Sequence, residues 1–176
     1  LDRVTVSAVC SADKNGTFLP ARGKRQAHSL FTFLENLQPN GQMPLLQSLI
    51  KYRGSAPQSG PLILITDLFD PEWKQALQVL ASGKYEVSLL HLLSPDELDP
   101  PYSGDLKLLD SETSADVEIT ADFDLLQRYK TSLLNWQEEI DEFCSKRGIR
   151  YIPLDTSVSL TELLFCLLYT SPSPRD

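Results

Sequence analysis

The sequence predicts an α/β fold: a three-layer α/β/α sandwich around a mainly parallel sheet, with a small β-hairpin inserted. The first observation behind this prediction is residues 61–65, an apolar run rich in β-branched residues that leads into Thr66 and Asp67. A run of this length fits a strand buried on both faces, as strands of covered parallel sheets are. The second observation is that strand-like segments alternate with segments of helical spacing, the order produced by crossover helices.

The first third of the chain predicts two strands and two helices. Residues 3–9 alternate weakly and predict a strand, and residues 18–20 predict its return after a turn at Asn15 and Gly16. Apolar residues then recur at helical spacing, first across residues 24–37 and again across residues 45–54.

The central third predicts a buried strand at residues 62–66, followed by a helix. Asp70 is a natural N-cap for that helix, and Pro71 suits its first turn. The later segments predict, in chain order, a strand at 85–93, a proline-rich acidic loop at 95–104 and a short hairpin made of 105–109 and 116–120.

The final third predicts a long helix, a strand and a further helix. Apolar residues recur at steps of three and four from Leu126 to Phe143, which places them in one stripe of a helix that Gly148 ends. Residues 149–154 predict a strand that ends at Asp155, and Leu160 begins the last helical pattern.

Both ends of the chain affect the domain boundaries that we expect. Residues 166–176 are identical to an in-frame translation of a transposase sequencing adapter. We therefore expect this tail to be non-native and not to belong to the folded domain. Leu1 is not a methionine and leads directly into a strand. We therefore expect residues 1–165 to be one domain, truncated at its N-terminus and also at its C-terminus.

Charge and cysteine content narrow the classes of function. Residues 1–60 hold seven Lys or Arg against three Asp or Glu, whereas residues 61–176 hold nine against twenty-one. This acidic second part argues against nucleic acid as the main partner. Cys10 and Cys144, the cysteines outside the tail, show no disulfide or zinc spacing, so we expect a cytoplasmic protein. No segment predicts membrane insertion, although an anchor upstream of Leu1 is compatible with the sequence.

An ordered set of motifs carries a resemblance to a known family. One piece is the strand end Ile65-Thr66-Asp67-Leu68-Phe69-Asp70, and it is the ordered set rather than any single piece that is specific. The other pieces are residues 1–4, 18–24, 104–106, 144–149, 154–156 and 160–164. Together they resemble the von Willebrand factor A-like domain of domain-of-unknown-function family 58, over residues 1–165.

The resemblance implies a Rossmann-like, von Willebrand A-type sheet and a function in protein binding. The family is similar to bacterial von Willebrand A proteins encoded beside MoxR-type AAA+ ATPases. It therefore implies an adaptor or chaperone-like partner of such an ATPase, with no established enzymatic activity.

The resemblance also raises the question of a metal ion. Von Willebrand A domains hold a divalent ion with an Asp-x-Ser-x-Ser loop, a Thr and an Asp, hard oxygen ligands that suit Mg²⁺. Asp67 matches the last ligand, whereas Met43 stands where the Thr is expected and is a poor ligand for Mg²⁺. The first loop would lie upstream of Leu1. Binding of Mg²⁺ would thus depend on ligands from that missing loop. The competing role for Asp67 is to organise its own loop through hydrogen bonds.

Two further classes of function stay open. One is a Mg²⁺-dependent phosphohydrolase that uses Asp67, although Asp67 and Asp70 lack the Asp-x-Asp spacing and no phosphate loop, nucleophile elbow or catalytic triad is evident. The other is a metal-free structural scaffold, in which Trp73 belongs to the core. Because Asp67 follows the buried strand, we expect it to lie in a cleft at the carboxyl edge of the sheet, where ligands of open α/β sheets bind. For an interaction module, the candidate partner contacts near this edge are Asp70, Trp73, Gln42 and Met43.

Overall fold

The computed structural model describes residues 4–7, 17–21, 25–37, 44–55, 59–109, 116–159 and 161–162. The chain forms two compact units. The first comprises Leu1–Gln58 and Asp70–Gly83, and the second comprises Ser59–Phe69 and Lys84–Asp176. The predicted turn at Asn15 and Gly16 and the tail 166–176 lie outside the described residues. A single domain over residues 1–165 stays a prediction.

The first unit contains a hairpin and three helices, all at positions that the sequence predicts. Its elements are β1 (Val4–Ser7), β2 (Thr17–Ala21), α1 (Arg25–Glu35), α2 (Leu45–Ser55) and α3 (Trp73–Ala81). Strands β1 and β2 pair in antiparallel fashion. Helices α2 and α3 are joined by Arg53, whose guanidinium donates to the Ser82 hydroxyl at 2.6 Å and to the Val79 carbonyl at 3.3 Å.

The sequence predicts Asp70 as the N-cap of α3, whereas in the structure it lies two residues before the N-cap and caps the turn that leads into the helix. The N-cap residue of α3 is Glu72, whose side chain makes no capping hydrogen bond. Asp70 Oδ1 instead accepts from the Glu72 amide at 2.7 Å, and Oδ2 accepts from the Leu45 amide at 2.8 Å. Leu45 is the first residue of α2, where amides lack partners within the helix. The carboxylate therefore stabilises the start of a different helix, 25 residues upstream.

The second unit is built on a parallel three-stranded sheet. Its strands are β3 (Gly60–Thr66), β4 (Tyr85–Leu93) and β7 (Arg150–Asp155), in the order β3-β4-β7. Both pairs of strands are parallel, so β4 is the central strand and its residue His91 lies opposite Thr66 on one side and Pro153 on the other. The mixed α/β architecture and the parallel sheet predicted from the sequence are confirmed.

Strand β3 is buried on one face only, which corrects the prediction of a strand buried on both faces. Leu64 is 8% exposed, whereas Ile63 and Ile65 are 61% and 59% exposed. Side chains alternate between the faces of a strand. The face that carries the two isoleucines is therefore open in this structure, although these residues are as apolar as those on the buried face.

A short helix and a hairpin follow the central strand. Helix α4 (Pro95–Leu98) replaces the loop that the sequence predicts there. It forms because Ser94 and Glu97 make a capping box: each side chain accepts from the other's backbone amide. Strands β5 (Gly104–Leu109) and β6 (Asp116–Ala121) then pair in antiparallel fashion as a separate two-stranded sheet, which confirms the predicted hairpin.

Helix α5 (Phe123–Ser145) is the longest element, as the sequence predicts. It begins at Asp122, whose carboxylate accepts from the Leu125 amide at 2.7 Å, and the chain leaves it at Gly148, where φ is 68°. Leu133, Ile140 and Cys144 form its buried stripe. Within the described ranges, no helix combines the length and the apolar character that a membrane crossing requires.

Candidate functional site

The candidate site lies where the parallel strands of the second unit end. Strand β3 ends at Thr66, and Asp67 and Phe69 follow it directly; both are exposed. Strand β7 ends at Asp155. The carboxyl ends of parallel strands meet at one edge of a sheet, the edge at which ligands of open α/β sheets bind. Asp67 therefore lies at this edge, as the end of an apolar strand predicts, whereas the cleft expected around it stays a prediction.

The loop after β3 has a fixed and strained conformation. Leu68 has a φ of 56°, the left-handed region that residues other than glycine rarely adopt, and its side chain is only 1% exposed. The strain costs on the order of 1–2 kcal/mol, and burial of a leucine side chain offsets it by roughly 1.5–3 kcal/mol. Two further hydrogen bonds hold the loop: the Leu68 amide donates to Thr66 Oγ1 at 3.1 Å, and the Phe69 amide donates to Asp67 Oδ1 at 3.2 Å.

An aromatic stack supports the end of this loop. The ring of Phe69 lies 5.3 Å from that of Trp136 on α5, with 16° between their planes, while 55% of Phe69 stays exposed. Trp136 also makes an edge-on ring contact with His91, at 5.0 Å and 89°. Stacked and edge-to-face pairs are the favoured arrangements of aromatic rings. The loop therefore rests on side chains from both α5 and the central strand.

His91 connects the loop to the sheet. Its side chain is 0% exposed. Its Nε2 lies 3.0 Å from the Asp67 carbonyl oxygen, and its Nδ1 lies 2.8 Å from the Tyr151 hydroxyl. A carbonyl oxygen can only accept, so we assign the proton to Nε2, and Nδ1 accepts from the tyrosine.

The electrostatics keep this connection uncharged. Burial lowers the pKa of His91, and the hydrogen bond to Asp67 and the charges of Asp67 and Glu97 oppose that shift only in part. Burial, followed by Cys144 and Asp141, raises the pKa of Tyr151, so its hydroxyl keeps the proton that it donates. A neutral histidine and a protonated tyrosine are the forms that this geometry requires.

Of the other residues singled out from the sequence, Asp155 is hydrogen-bonded within its own loop, and Asp70 and Trp73 lie in the first unit. Asp155 Oδ1 accepts from the Ser157 amide at 2.8 Å, beside a cleft of about 220 Å³. In the first unit, both carboxylate oxygens of Asp70 are hydrogen-bonded as described above, and Trp73 is 7% exposed, which favours a core role over a partner contact. Gln42 and Met43 lie outside the described residues.

The donor set that the structure describes does not fit a Mg²⁺ ion. No group of three or more His, Cys, Asp or Glu side chains in the described part of the chain could hold a metal. Asp67 brings one carboxylate, of which Oδ1 already accepts from the amide of Phe69. Thr66 Oγ1, the neighbouring hard oxygen, accepts from the amide of Leu68.

Sequence reasoning missed the network formed by His91, Tyr151, Trp136 and Phe69. One signal for it was present, because His91 is a polar residue in the otherwise apolar end of β4. Its hydrogen-bond partners are 24 and 60 residues away along the chain, and no local pattern connects them.

Comparison with known proteins adds one finding. A family model described as "Protein of unknown function DUF58" matches residues 2–139, most of the chain. No curated protein and no solved structure matches the chain.

Proposed function

The chain belongs to the family described as Protein of unknown function DUF58, and from that premise we propose that it is a protein-binding module whose contact lies at the carboxyl end of the parallel sheet. The residues that would carry the contact are Asp67 and Phe69. We call residues 67–69 the strand-end loop.

The observation that carries the proposal is the exposed ring of Phe69. It is 55% exposed, yet it is stacked on Trp136 rather than free to rotate. Large aromatic side chains held in one orientation dominate many protein interfaces, because they bury much area and lose little entropy on binding. The exposed carboxylate of Asp67 lies two residues away and would add a charged contact at the rim.

The rigidity of the strand-end loop supports the same proposal. Leu68 is buried in a left-handed conformation, and the Asp67 carbonyl is held by the ring of His91. Strained conformations persist only when their surroundings fix them, and they concentrate at functional sites. A loop that is ordered before binding loses less entropy when a partner docks.

The resemblance to von Willebrand A-like proteins gives the class of partner. We propose a MoxR-type AAA+ ATPase, for which this domain would act as an adaptor. The metal-ion-dependent adhesion site of that fold would be degenerate here, so that binding proceeds through protein side chains. The donor set supports this, because no group of three or more His, Cys, Asp or Glu side chains among the described residues could hold a metal.

The proposal contains no catalytic step. Both ring nitrogens of His91 are engaged, one by a carbonyl oxygen and one by a hydroxyl, so the imidazole is not free to act as a general base. Its burial beneath the strand-end loop also keeps it from a substrate. The phosphohydrolase alternative needs a Mg²⁺ ion beside Asp67, and no group of three or more His, Cys, Asp or Glu side chains among the described residues could hold a metal. We therefore favour binding over that alternative.

The test compares two phenylalanines of similar exposure. Phe69→Ala removes the proposed contact, and Phe31→Ala removes a phenylalanine on α1 that is 62% exposed. Binding to a MoxR-type AAA+ ATPase, the proposed class of partner, is measured by biolayer interferometry. We expect Phe69→Ala to weaken binding by about tenfold or more, and Phe31→Ala to leave it unchanged.

One outcome of this binding assay would contradict the proposal. Equal binding by the wild-type chain and Phe69→Ala would contradict a contact at the strand-end loop. Asp67→Asn separates charge from fold, since the amide oxygen still accepts from the amide of Phe69. We expect a smaller loss for this variant, one that disappears at high salt.

A further inference from the structure

The aromatic ring of the strand-end loop has one covered face and one open face. Trp136 stacks against the ring of Phe69 at 5.3 Å, with 16° between the planes. Because Phe69 is 55% exposed, the face that is turned away from Trp136 is open to solvent. The π-electrons give an aromatic face a partial negative charge, which attracts a cation placed over it. The loop therefore presents an aromatic face whose orientation is already fixed.

A carboxylate is held beside the same residue. Asp67 is exposed, and its Oδ1 accepts from the Phe69 amide at 3.2 Å. This hydrogen bond closes a turn between the two residues, so the carboxylate lies next to the backbone from which the ring projects. A carboxylate can accept several hydrogen bonds at its two oxygens. An aromatic face and a negatively charged acceptor thus stand two residues apart on one rigid loop.

The charges around the loop are negative. Burial lowers the pKa of His91, and the two charges that act against this shift, those of Asp67 and Glu97, are both negative. The ion pairs formed within the described part of the chain involve neither Asp67 nor Glu97. A cationic group of a partner would therefore be attracted to this loop, whereas an acidic group would be repelled.

Among cationic side chains, arginine matches the ring and the carboxylate together. Its guanidinium is planar, stacks flat on aromatic rings and presents N–H donors along its edge to a carboxylate. The ammonium group of lysine is a compact and strongly hydrated charge, so it has no flat surface to place against a ring. The pairing of Phe69 with Asp67 therefore favours a guanidinium over an ammonium.

We propose that the open face of Phe69 and the carboxylate of Asp67 form a binding site for an arginine side chain of the partner protein. The guanidinium would stack on Phe69 opposite Trp136 and donate a hydrogen bond to Asp67. This inference rests on the function proposed above, to which it adds the chemistry of the partner's contact residue.

The test replaces the partner by a small probe, so that it does not require the ATPase. N-acetylarginine amide is titrated into the isotope-labelled 176-residue chain, and shifts of the backbone amide and indole NMR signals are followed. N-acetylcitrulline amide has nearly the same shape but no charge, and it is the matched control. We expect the arginine probe to shift the signals of Asp67, Phe69 and the Trp136 indole saturably, and less as the salt concentration rises. The citrulline probe should leave them unchanged.

Two substitutions remove the two features of the site separately. Phe69→Leu keeps an apolar side chain without the aromatic face, and Asp67→Asn removes the charge while its amide oxygen still accepts from the Phe69 amide. Each should weaken binding of the arginine probe by about threefold or more. Phe31→Leu changes a phenylalanine that is 62% exposed on α1, and should leave the binding unchanged. Circular dichroism checks that the variants fold.

The outcomes separate the arginine site from the proposed function. Equal shifts with the arginine and citrulline probes, or arginine binding that neither Phe69→Leu nor Asp67→Asn weakens, would overturn the arginine site. If Phe69→Ala weakens binding to the ATPase but the arginine probe causes no shifts, the partner contact stands and the arginine site is rejected. If the arginine probe binds as expected but the ATPase does not, the arginine site stands and the class of partner is rejected.

Discussion

Removal of one oxygen atom at Tyr151 tests the network beneath the strand-end loop. Tyr151→Phe deletes the hydroxyl that lies 2.8 Å from Nδ1 of His91. The imidazole is 0% exposed, so water cannot replace the lost donor without opening the structure. An unsatisfied buried acceptor costs about 1–3 kcal/mol, and we expect the free energy of unfolding to fall by that amount.

The matched control is Tyr129→Phe. Its hydroxyl donates to the Glu97 carbonyl at 2.7 Å, but this tyrosine is 37% exposed, so water can satisfy the carbonyl after the change. We expect a loss below about 1 kcal/mol. Urea unfolding at about pH 8, where histidine is neutral, followed by circular dichroism and tryptophan fluorescence, measures both variants. Equal losses, or no loss in Tyr151→Phe, would refute the assignment of this hydroxyl as the donor to His91.

Three further predictions concern stability. Leu68→Gly relieves a strain of about 1–2 kcal/mol but empties a site that is 1% exposed, so we expect a net loss of roughly 1–2 kcal/mol in urea unfolding; a gain would show that strain outweighs burial. Ile140→Ala, at a fully buried site, should lower the free energy of unfolding by about 2–5 kcal/mol. Leu134→Ala, at a site that is 60% exposed on the same helix, should change it by no more than about 0.5 kcal/mol. Similar losses in the two variants would contradict the orientation of α5. Burial lowers the pKa of His91 below the ordinary 6.5, so the unfolded chain is protonated first as the pH falls. Stability should therefore be complete above about pH 6.5 and decline below it by up to about 1.4 kcal/mol per pH unit, a slope that urea titrations of His91→Asn should lack.

The strands and helices were predictable wherever a local pattern determines them. The apolar run of β3, the stripe of α5 and the alternation of the hairpin all appear at the expected positions. The burial of β3 was not predictable, because Ile63 and Leu64 are equally apolar and only the rest of the fold decides which face is covered. A run without polar residues carries no information about its open side.

A contact between distant residues explains the difference at Asp70. Asp70 precedes α3 and is a residue type that is common at N-caps. Its carboxylate also accepts a hydrogen bond from the amide of Leu45 at the start of another helix, 25 residues upstream. Helix α4 was missed for a different reason. Its capping box, Ser94 with Glu97, is a local signal that the neighbouring prolines obscured.

The position of the candidate site was predictable from the sequence, but the side chains that support it were not. A strand that ends at Asp67 indicates the carboxyl edge of a sheet. The support of that edge by His91, Tyr151 and Trp136 depends on β4, β7 and α5 folding together. The left-handed conformation of Leu68 has no sequence signal, because leucine is a poor residue for it.

The most direct test of the proposed partner contact at the carboxyl end of the sheet is hydrogen–deuterium exchange on the 176-residue chain, alone and with a MoxR-type ATPase of the proposed class. The account predicts that the ATPase protects peptides covering residues 67–69, while exchange in α1 stays unchanged. Protection elsewhere, with no change at the strand-end loop, would contradict it.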